Sequence, residues 1–336
     1  MPRFSAPKSF GLLSGLLAAT ALSITVHAQP RPAVVDPPEP AEVAGHVAKA
    51  KQIAGDNPLL SKMARDDYWC MKPSVSSKVV VDALNGAKIH APGQFFDNLY
   101  LLGTTFVGMF VLKTSDGLIA WDALNSDEDM RTIFEPGMKQ LGLNPADIKL
   151  MIVTHGHFDH FGGAKYMQDK YKTPVALSAV DWDTMLKTPG RANGPTPPAR
   201  DRVLADGEEI KIGDTTVRVV LTPGHTPGTI SSIVNVKDAG QMRTMAMWGG
   251  TAFPNTSAAV EQMRQSALKL RDAARAAGAV GILNTHAFFY DMVERKAAQG
   301  NGPNPLIIGA DATQRTMEIK AECLAAQVAW SKALGR

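Results

Sequence analysis

Apolar positions along this chain change rhythm twice. Between Phe10 and Val26 they run almost without interruption. From Gly93 onward they break into runs of strand length, at 95–102, 105–114 and 118–122, separated by Gly103, by Ser115-Asp116-Gly117 and by Ala123-Leu124-Asn125. The Asp116-Gly117 pair between such runs predicts a hairpin. Residues 127–141 have the amphipathic spacing of a helix and stop at Gly142. A strand at 148–153, a helix at 163–171, a strand at 174–177 and a helix at 179–187 follow. Strands resume at 209–212, 216–221, 230–236 and 242–248. Residues 256–277 set Val260, Met263, Ala267 and Leu270 on one helical face. A buried-type strand at 279–283 and a helix at 310–334 complete the chain. Upstream, residues 41–65 read as helix, broken at Gly55 and resumed at Pro58, with a polar connector after Cys70.

The order is strands, helices, strands, helices, in two comparable halves split near residue 200. That predicts an α/β fold of two βα halves, stacked sheet on sheet with helices outside. At the split, residues 188–201 form a long polar loop rich in proline and glycine. A loop of that length in a compact domain is usually functional or mobile. It is read either as an active-site wall or as a surface excursion.

The first apolar run has a different character. Arg3 and Lys8 precede it, and Val26-His27-Ala28 follows, the pattern of a secretory signal peptide cleaved after about Ala28. A single membrane anchor is the alternative, since the run approaches spanning length. The expected organisation is therefore a signal peptide at 1–28, an N-terminal extension at 29–90 (loose, then helical) and the main domain at 91–336. The expected location is the periplasm or the exterior, with no stable membrane insertion after processing. Removing residues 1–28 takes Arg3 and Lys8 from a net charge of +3 and leaves +1. No basic run is interleaved with aromatics, which argues against nucleic acid and leaves a small molecule as the expected partner. The two cysteines, Cys70 and Cys323, are read either as one disulfide or as two buried thiols.

Chemistry is concentrated just after the strand at 148–153. His155-Gly-His157-Phe-Asp159-His160 puts three imidazoles and a carboxylate into six residues, in a chain with eight histidines. Two imidazoles at i and i+2 on a loop leaving a strand converge on one cation, and Asp159 and His160 face a second. Imidazole and carboxylate donors without thiolate suit zinc with a coordination position left open for water. Pro223-Gly224-His225-Thr-Pro-Gly228 presents another histidine on a rigid turn after a strand. His286 ends the run 282–286. No Gly-x-Ser-x-Gly elbow or phosphate loop is present, and the one Ser-x-x-Lys (Ser5 to Lys8) lies in the signal-like segment.

These three motifs resemble those of the metallo-β-lactamase superfamily, over about residues 90–334. The resemblance implies a four-layer αβ/βα sandwich with a two-zinc site at its edge. It implies His155, His157 and His225 on one zinc and Asp159, His160 and His286 on the other, with Asp159 also catalytic and Asp122 as the supporting aspartate. Within the superfamily the pattern is most similar to the third subclass of class B β-lactamases, through its all-histidine nitrogen donors and the Gly302-Pro-Asn304-Pro305 tail. The function it implies is opening of a β-lactam amide by a zinc-bound hydroxide. Hydrolysis of another small ester, lactone or amide is the alternative. Two departures bear on that choice. Glyoxalase II and the lactonases carry a bridging aspartate where this chain reads Met247-Trp248-Gly249-Gly250-Thr251-Ala252. The third-subclass enzymes usually carry serines there, and Thr251 is the hydroxyl left to contact substrate.

Overall fold

The structure, a computed structural model, describes residues 35–187 and 194–336. The signal-like segment, residues 29–34 and residues 188–193 at the start of the proline-rich loop lie outside the described residues. Among the described residues, no helix is long and apolar enough to cross a membrane.

Strands β1 (Gly93–Phe96), β2 (Leu99–Gly103), β3 (Gly108–Thr114), β4 (Gly117–Trp121), β5 (Ile148–Ile152), β6 (Val175–Ser178) and β7 (Arg202–Leu204) form one sheet in that spatial order. The first four pair antiparallel, and β4 to β7 run parallel. The second sheet is ordered β12-β11-β10-β9-β8. Its strands are β8 (Glu209–Ile212), β9 (Thr215–Leu221), β10 (Ile230–Asp238), β11 (Gln241–Met247) and β12 (Ile282–Leu283). All its pairs are antiparallel except β11 with β12.

Strand alternation explains the layering. Phe110 and Leu112 of β3, Ile119 and Trp121 of β4, and Leu150 and Ile152 of β5 face the other sheet. There they meet a core that includes Val217, Val219, Val234, Val236, Met245 and Met247. The alternate residues Met109, Val111, Leu118, Ala120 and Met151 face outward into a second core. Both faces are apolar because both are covered, as expected for a sheet between layers. The outer cover of the first sheet comes from a helix spanning 127–140 (α4, with a π-helical turn at Met130–Phe134), α6 (Ala164–Tyr171) and α7 (Ala179–Lys187). The second sheet is covered by α8 (Ser257–Ala276) and α10 (Ala310–Ala333). Val260, Met263, Ala267 and Leu270 of α8 are all fully buried, so the face read from spacing is the packed face. The result is the four-layer αβ/βα sandwich, divided between sheets after residue 204.

Several elements differ from the sequence reading. The run 95–102 is two strands, because Asn98 turns the chain. Its side chain donates to Lys113 O at 3.2 Å and accepts from Lys237 N at 2.7 Å, which ties the turn to both sheets. Of 279–283, only Ile282–Leu283 joins β11 as a strand. The connector after Cys70 is a helix, α3 (Pro73–Asn85), started by a proline at its first turn. Its Val75, Val79 and Val80 pack on the main core, but spacing of i, i+4, i+5 among serines masked the pattern. Strand β7 and helix α9 (Met292–Ala297) were too short to stand out.

The extension also includes α1 (Ala41–Ala54) and α2 (Pro58–Met63). Helix α1 meets α10 through Val43, Ala326 and Trp330. Cys70 and Cys323 form a disulfide, Cα to Cα 4.4 Å, across 253 residues of chain. Cross-links over long loops restrict the unfolded chain most. Reduction, or the Cys70→Ser/Cys323→Ser pair, is therefore expected to cost about 2–5 kcal/mol. Denaturant midpoints with and without reductant check this, and coincident midpoints would count against it.

Candidate metal centre

Parallel strands end at the same edge, and that topology assembles the site. Asp122 follows β4, the His155–His160 segment follows β5, and His286 follows β12. His225 stands in the turn between β9 and β10. Ile230 N of that hairpin donates to Thr154 O at 2.7 Å, which fixes the turn beside the first histidine motif. The motif closes into the short helix α5 (Phe158–Phe161) and then Gly162-Gly163. A Cβ at Gly162 would sit 2.1 Å from the carbonyl carbon of Asn125, so only glycine lets the segment lie this close to the turn after β4.

The six residues separate into two trios, His155/His157/His225 and Asp159/His160/His286. Within each trio the donor atoms lie within 4.8 Å of one another. Hydrogen bonding fixes which nitrogen points inward. His155 Nδ1 donates to Gly249 O at 2.9 Å, His225 Nδ1 to Ala252 O at 2.7 Å, and His286 Nδ1 to Phe106 O at 2.7 Å. Carbonyls only accept, so each Nδ1 carries the proton and each Nε2 presents a lone pair. His155 Nε2 and His225 Nε2 then face each other at 3.0 Å. Lone pairs at that distance repel, and a cation between them turns the repulsion into two bonds. His157 joins through Nδ1, 3.1 Å from His225 Nε2.

The second trio follows the same logic with one difference. His160 Nδ1 donates to the Asp122 carboxylate at 2.7 Å, leaving Nε2 3.1 Å from His286 Nε2. Asp159 Oδ2 is 3.6 Å from His160 Nε2 and 3.5 Å from His286 Nε2. Here a proton on His160 meets the same electrostatic need that a metal ion would. Ring centroids of His155 and His160 are 3.9 Å apart, so the trios adjoin.

Electrostatics match ligand chemistry. Burial, followed by repulsion from neighbouring rings, holds His155 far below the ordinary imidazole value. Burial and His157 push His225 down to about 3, and burial and His160 push His286 down to about 4. These rings are neutral, the form that binds metals. Burial opposes charge on His160 as well, but Asp122 and Asp159 outweigh it and hold His160 above the ordinary value. Asp159 stays below the usual carboxylate range despite burial, through His160 and His286. Access is graded: His155 is buried, His225 half-buried and His157 exposed. The donor set, the fixed tautomers and the neutral rings fit a pair of divalent ions of the zinc type.

Behind the donors stand residues of two kinds. Asp122 is fully buried at φ 64° and accepts from Thr154 N at 2.7 Å and Thr154 Oγ1 at 2.9 Å as well as from His160. Asp181 was not singled out from sequence. Its buried carboxylate accepts from Gly156 N at 2.9 Å, Thr226 Oγ1 at 2.6 Å and Gly228 N at 2.8 Å. It thus joins the turn of His155 and His157 to the turn of His225. Its one sequence signal is an acid opening the helix after β6, at the same sheet edge. Asp181→Ala removes the acceptor of the buried Gly228 N–H and the half-buried Gly156 N–H and frees one turn from the other. We expect metal affinity of the three-histidine trio to fall about 10–100-fold, checked by competition with a chromophoric chelator.

Thr251 is placed differently from the substrate-facing position expected of it. It is 2% exposed and exchanges hydrogen bonds with Asn284, whose amide also donates to Trp248 O and whose oxygen accepts from His286 N. Its hydroxyl braces the strand ends. Gly250 explains the missing carboxylate: a Cβ there would lie 2.5 Å from His225 Cβ, so a bridging aspartate does not fit without displacing that ring.

Residues 102–238 match the model of the metallo-beta-lactamase superfamily. The chain is 34% identical over 128 residues to the probable metallo-hydrolase YqgX of Bacillus subtilis (strain 168), covering 33% of this chain and 58% of that protein. It is 28% identical over 223 residues to the N-acyl homoserine lactonase AttM of Azorhizobium caulinodans, covering 58% and 82%. Over the first three curated relatives it spans 58, 50 and 43% of their lengths. The solved structure of BJP-1, a subclass B3 metallo-beta-lactamase of Bradyrhizobium japonicum, matches with a TM-score of 0.62 and 26% identity, over 74% of this chain and 97% of that one. Fold and site agree with that match: residues 102–238 carry a metallo-beta-lactamase domain, and the chain has the metallo-β-lactamase fold. A second solved structure, that of MEM-A1, a subclass B3 metallo-beta-lactamase from a soil metagenome library, matches with a TM-score of 0.58 and 25% identity, over 73% of this chain and 96% of that one.

Proposed function

We propose that the chain is an exported, zinc-dependent hydrolase that opens the amide of a β-lactam ring. The observation that carries the reading is the pair of adjoining trios, whose inward ring nitrogens face one another at about 3 Å. When bound, zinc at such sites supplies an activated water and a Lewis acid for a carbonyl.

The chain's own residues do the rest. Asp159, ionised and at the inner edge of the site, accepts a hydrogen bond from the attacking water and turns its lone pair toward the carbonyl carbon. Exposed His157 and half-buried His225 border the cleft through which substrate arrives. The carbonyls of Gly249, Ala252 and Phe106 and the carboxylate of Asp122 keep four imidazoles in one tautomer. Similarity to BJP-1 over nearly all of that protein supports the β-lactam, and the Cys70–Cys323 disulfide supports export to an oxidising compartment.

A second reading, hydrolysis of a lactone or other small ester, is favoured by the similarity to AttM and by the lack of serines at Gly250 and Ala252. A panel on zinc-loaded protein separates them: a penicillin, a cephalosporin, a carbapenem, a homoserine lactone and an aryl ester, each with and without chelator. Chelator-sensitive turnover of a β-lactam supports the first reading. Turnover of the lactone but of no β-lactam overturns it.

A further inference from the structure

The N-terminal extension reaches the metal centre from behind. Tyr68 and Trp69 follow α2, and both donate hydrogen bonds to one short turn. Tyr68 Oη donates to Phe288 O at 3.2 Å, and Trp69 Nε1 donates to Phe289 O at 3.1 Å. That turn, a 3-10 helix at Ala287–Tyr290, begins directly after His286. Phe289 N donates back to His286 O at 3.1 Å, so the turn and the ligand share a backbone hydrogen bond. The Trp69 ring meets Tyr290 edge-on, with centroids 5.1 Å apart. Just beyond, Asp291 leaves the turn at φ 47° and pairs with Lys62 of α2 at 2.5 Å. Three side chains of the extension thus hold the turn that carries His286.

Such a turn needs outside partners. A four-residue 3-10 helix has poor hydrogen-bond geometry, and carbonyls at a helix end lack partners within the helix. Tyr68 and Trp69 supply them, and Trp69 does so while buried. The extension is itself fixed to α10 beside these residues. Cys70, next to Trp69, is bonded to Cys323. Lys320, one helical turn before Cys323, sets its Nζ 5.0 Å from the Trp69 ring centroid. The first trio is held by other groups: Gly249 O and Ala252 O fix two of its rings, and Asp181 joins its turns.

We infer that Tyr68 and Trp69 are positioning residues for the second metal site, acting on His286 through the 287–290 turn, with the Cys70–Cys323 disulfide as their anchor. This rests on the two-trio reading of the metal centre and on no particular substrate. It gives the extension a task in the site's chemistry, although none of its side chains is among the six donors.

The test uses the full purified chain, stripped of metal and titrated with zinc against a chromophoric chelator. The binding step lost in Asp159→Ala marks the second trio. Trp69→Phe keeps an aromatic ring and removes the N–H. Tyr68→Phe removes one hydroxyl and covers the case of a Trp69 variant that does not fold. We expect Trp69→Phe to weaken zinc at the second trio about tenfold and to leave the first trio unchanged. Tyr68→Phe and the Cys70→Ser/Cys323→Ser pair are expected to shift the same step in the same direction. In cobalt(II)-loaded Trp69→Phe, the visible absorption of the second ion changes and that of the first does not. Val43→Ala is the control: it loosens α1 from α10 without touching the turn, and both steps are expected to stay as in wild type. A second-trio step unchanged in Trp69→Phe and Tyr68→Phe, an equal loss at both trios, or the same loss in Val43→Ala overturns the inference. Wild type that binds fewer than two ions overturns it together with the two-trio reading. The expected shifts without hydrolysis of any substrate support it and overturn only the hydrolase reading.

Discussion

Asp159→Ala is expected to lower kcat/KM by about 10²–10⁴-fold while the protein keeps one metal ion of two. Asp159 is the one anionic donor among the six candidate ligands, and it lies near the inward nitrogens of both His160 and His286. Without it the second trio is left with two imidazoles and no anionic donor to offset a divalent ion. The first trio touches other elements and other carbonyls, so its three histidines remain in place. Metal content by mass spectrometry and a kcat/KM ratio on the same preparation check both halves. Unchanged turnover would remove Asp159 from the catalytic role. Loss of both ions would show that the trios are one cooperative unit rather than two neighbouring sites.

The second large effect is expected at Asp122, which touches neither substrate nor metal. Its carboxylate satisfies the Thr154 backbone N–H, the Thr154 hydroxyl and His160 Nδ1, all buried. Asp122→Ala strands these donors and removes the counter-charge of a buried pair, which costs about 3–5 kcal/mol. It also replaces aspartate by alanine at φ 64°, a backbone conformation that aspartate and asparagine tolerate better. Asp122→Asn keeps the shape and the backbone preference but removes the charge. We expect that variant to fold near normally and to lose about 10–100-fold in metal affinity at the second trio. Equal midpoints for wild type and Asp122→Ala in denaturant would contradict the account.

What could be read from the sequence divides along a physical line. The first histidine motif was legible because its donors are contiguous, and His225 because proline and glycine flank it on both sides. Strand periods survived in β3, β4 and β5 because each alternates between two separate cores. Asp181 was invisible for the opposite reason: its partners, Gly156, Thr226 and Gly228, are 25 to 47 residues away. Helix α3 was missed because its serines and exposed Val81 and Leu84 blur the apolar face. Thr251 looked substrate-facing because a hydroxyl near a ligand loop invites that reading. The buried amide of Asn284, distant in sequence, is what occupies it. Contacts made along the chain were readable, and contacts made across it were not.

The central claim is that the inward donors of the two trios hold two metal ions on which hydrolysis depends. Its most direct test is to strip the purified protein with chelator, dialyse, and titrate zinc back while following bound metal and turnover of the best substrate together. The account predicts saturation at two zinc ions per chain, no turnover in stripped protein, and activity restored with the metal. Saturation below one ion, or turnover that persists after stripping, would contradict it.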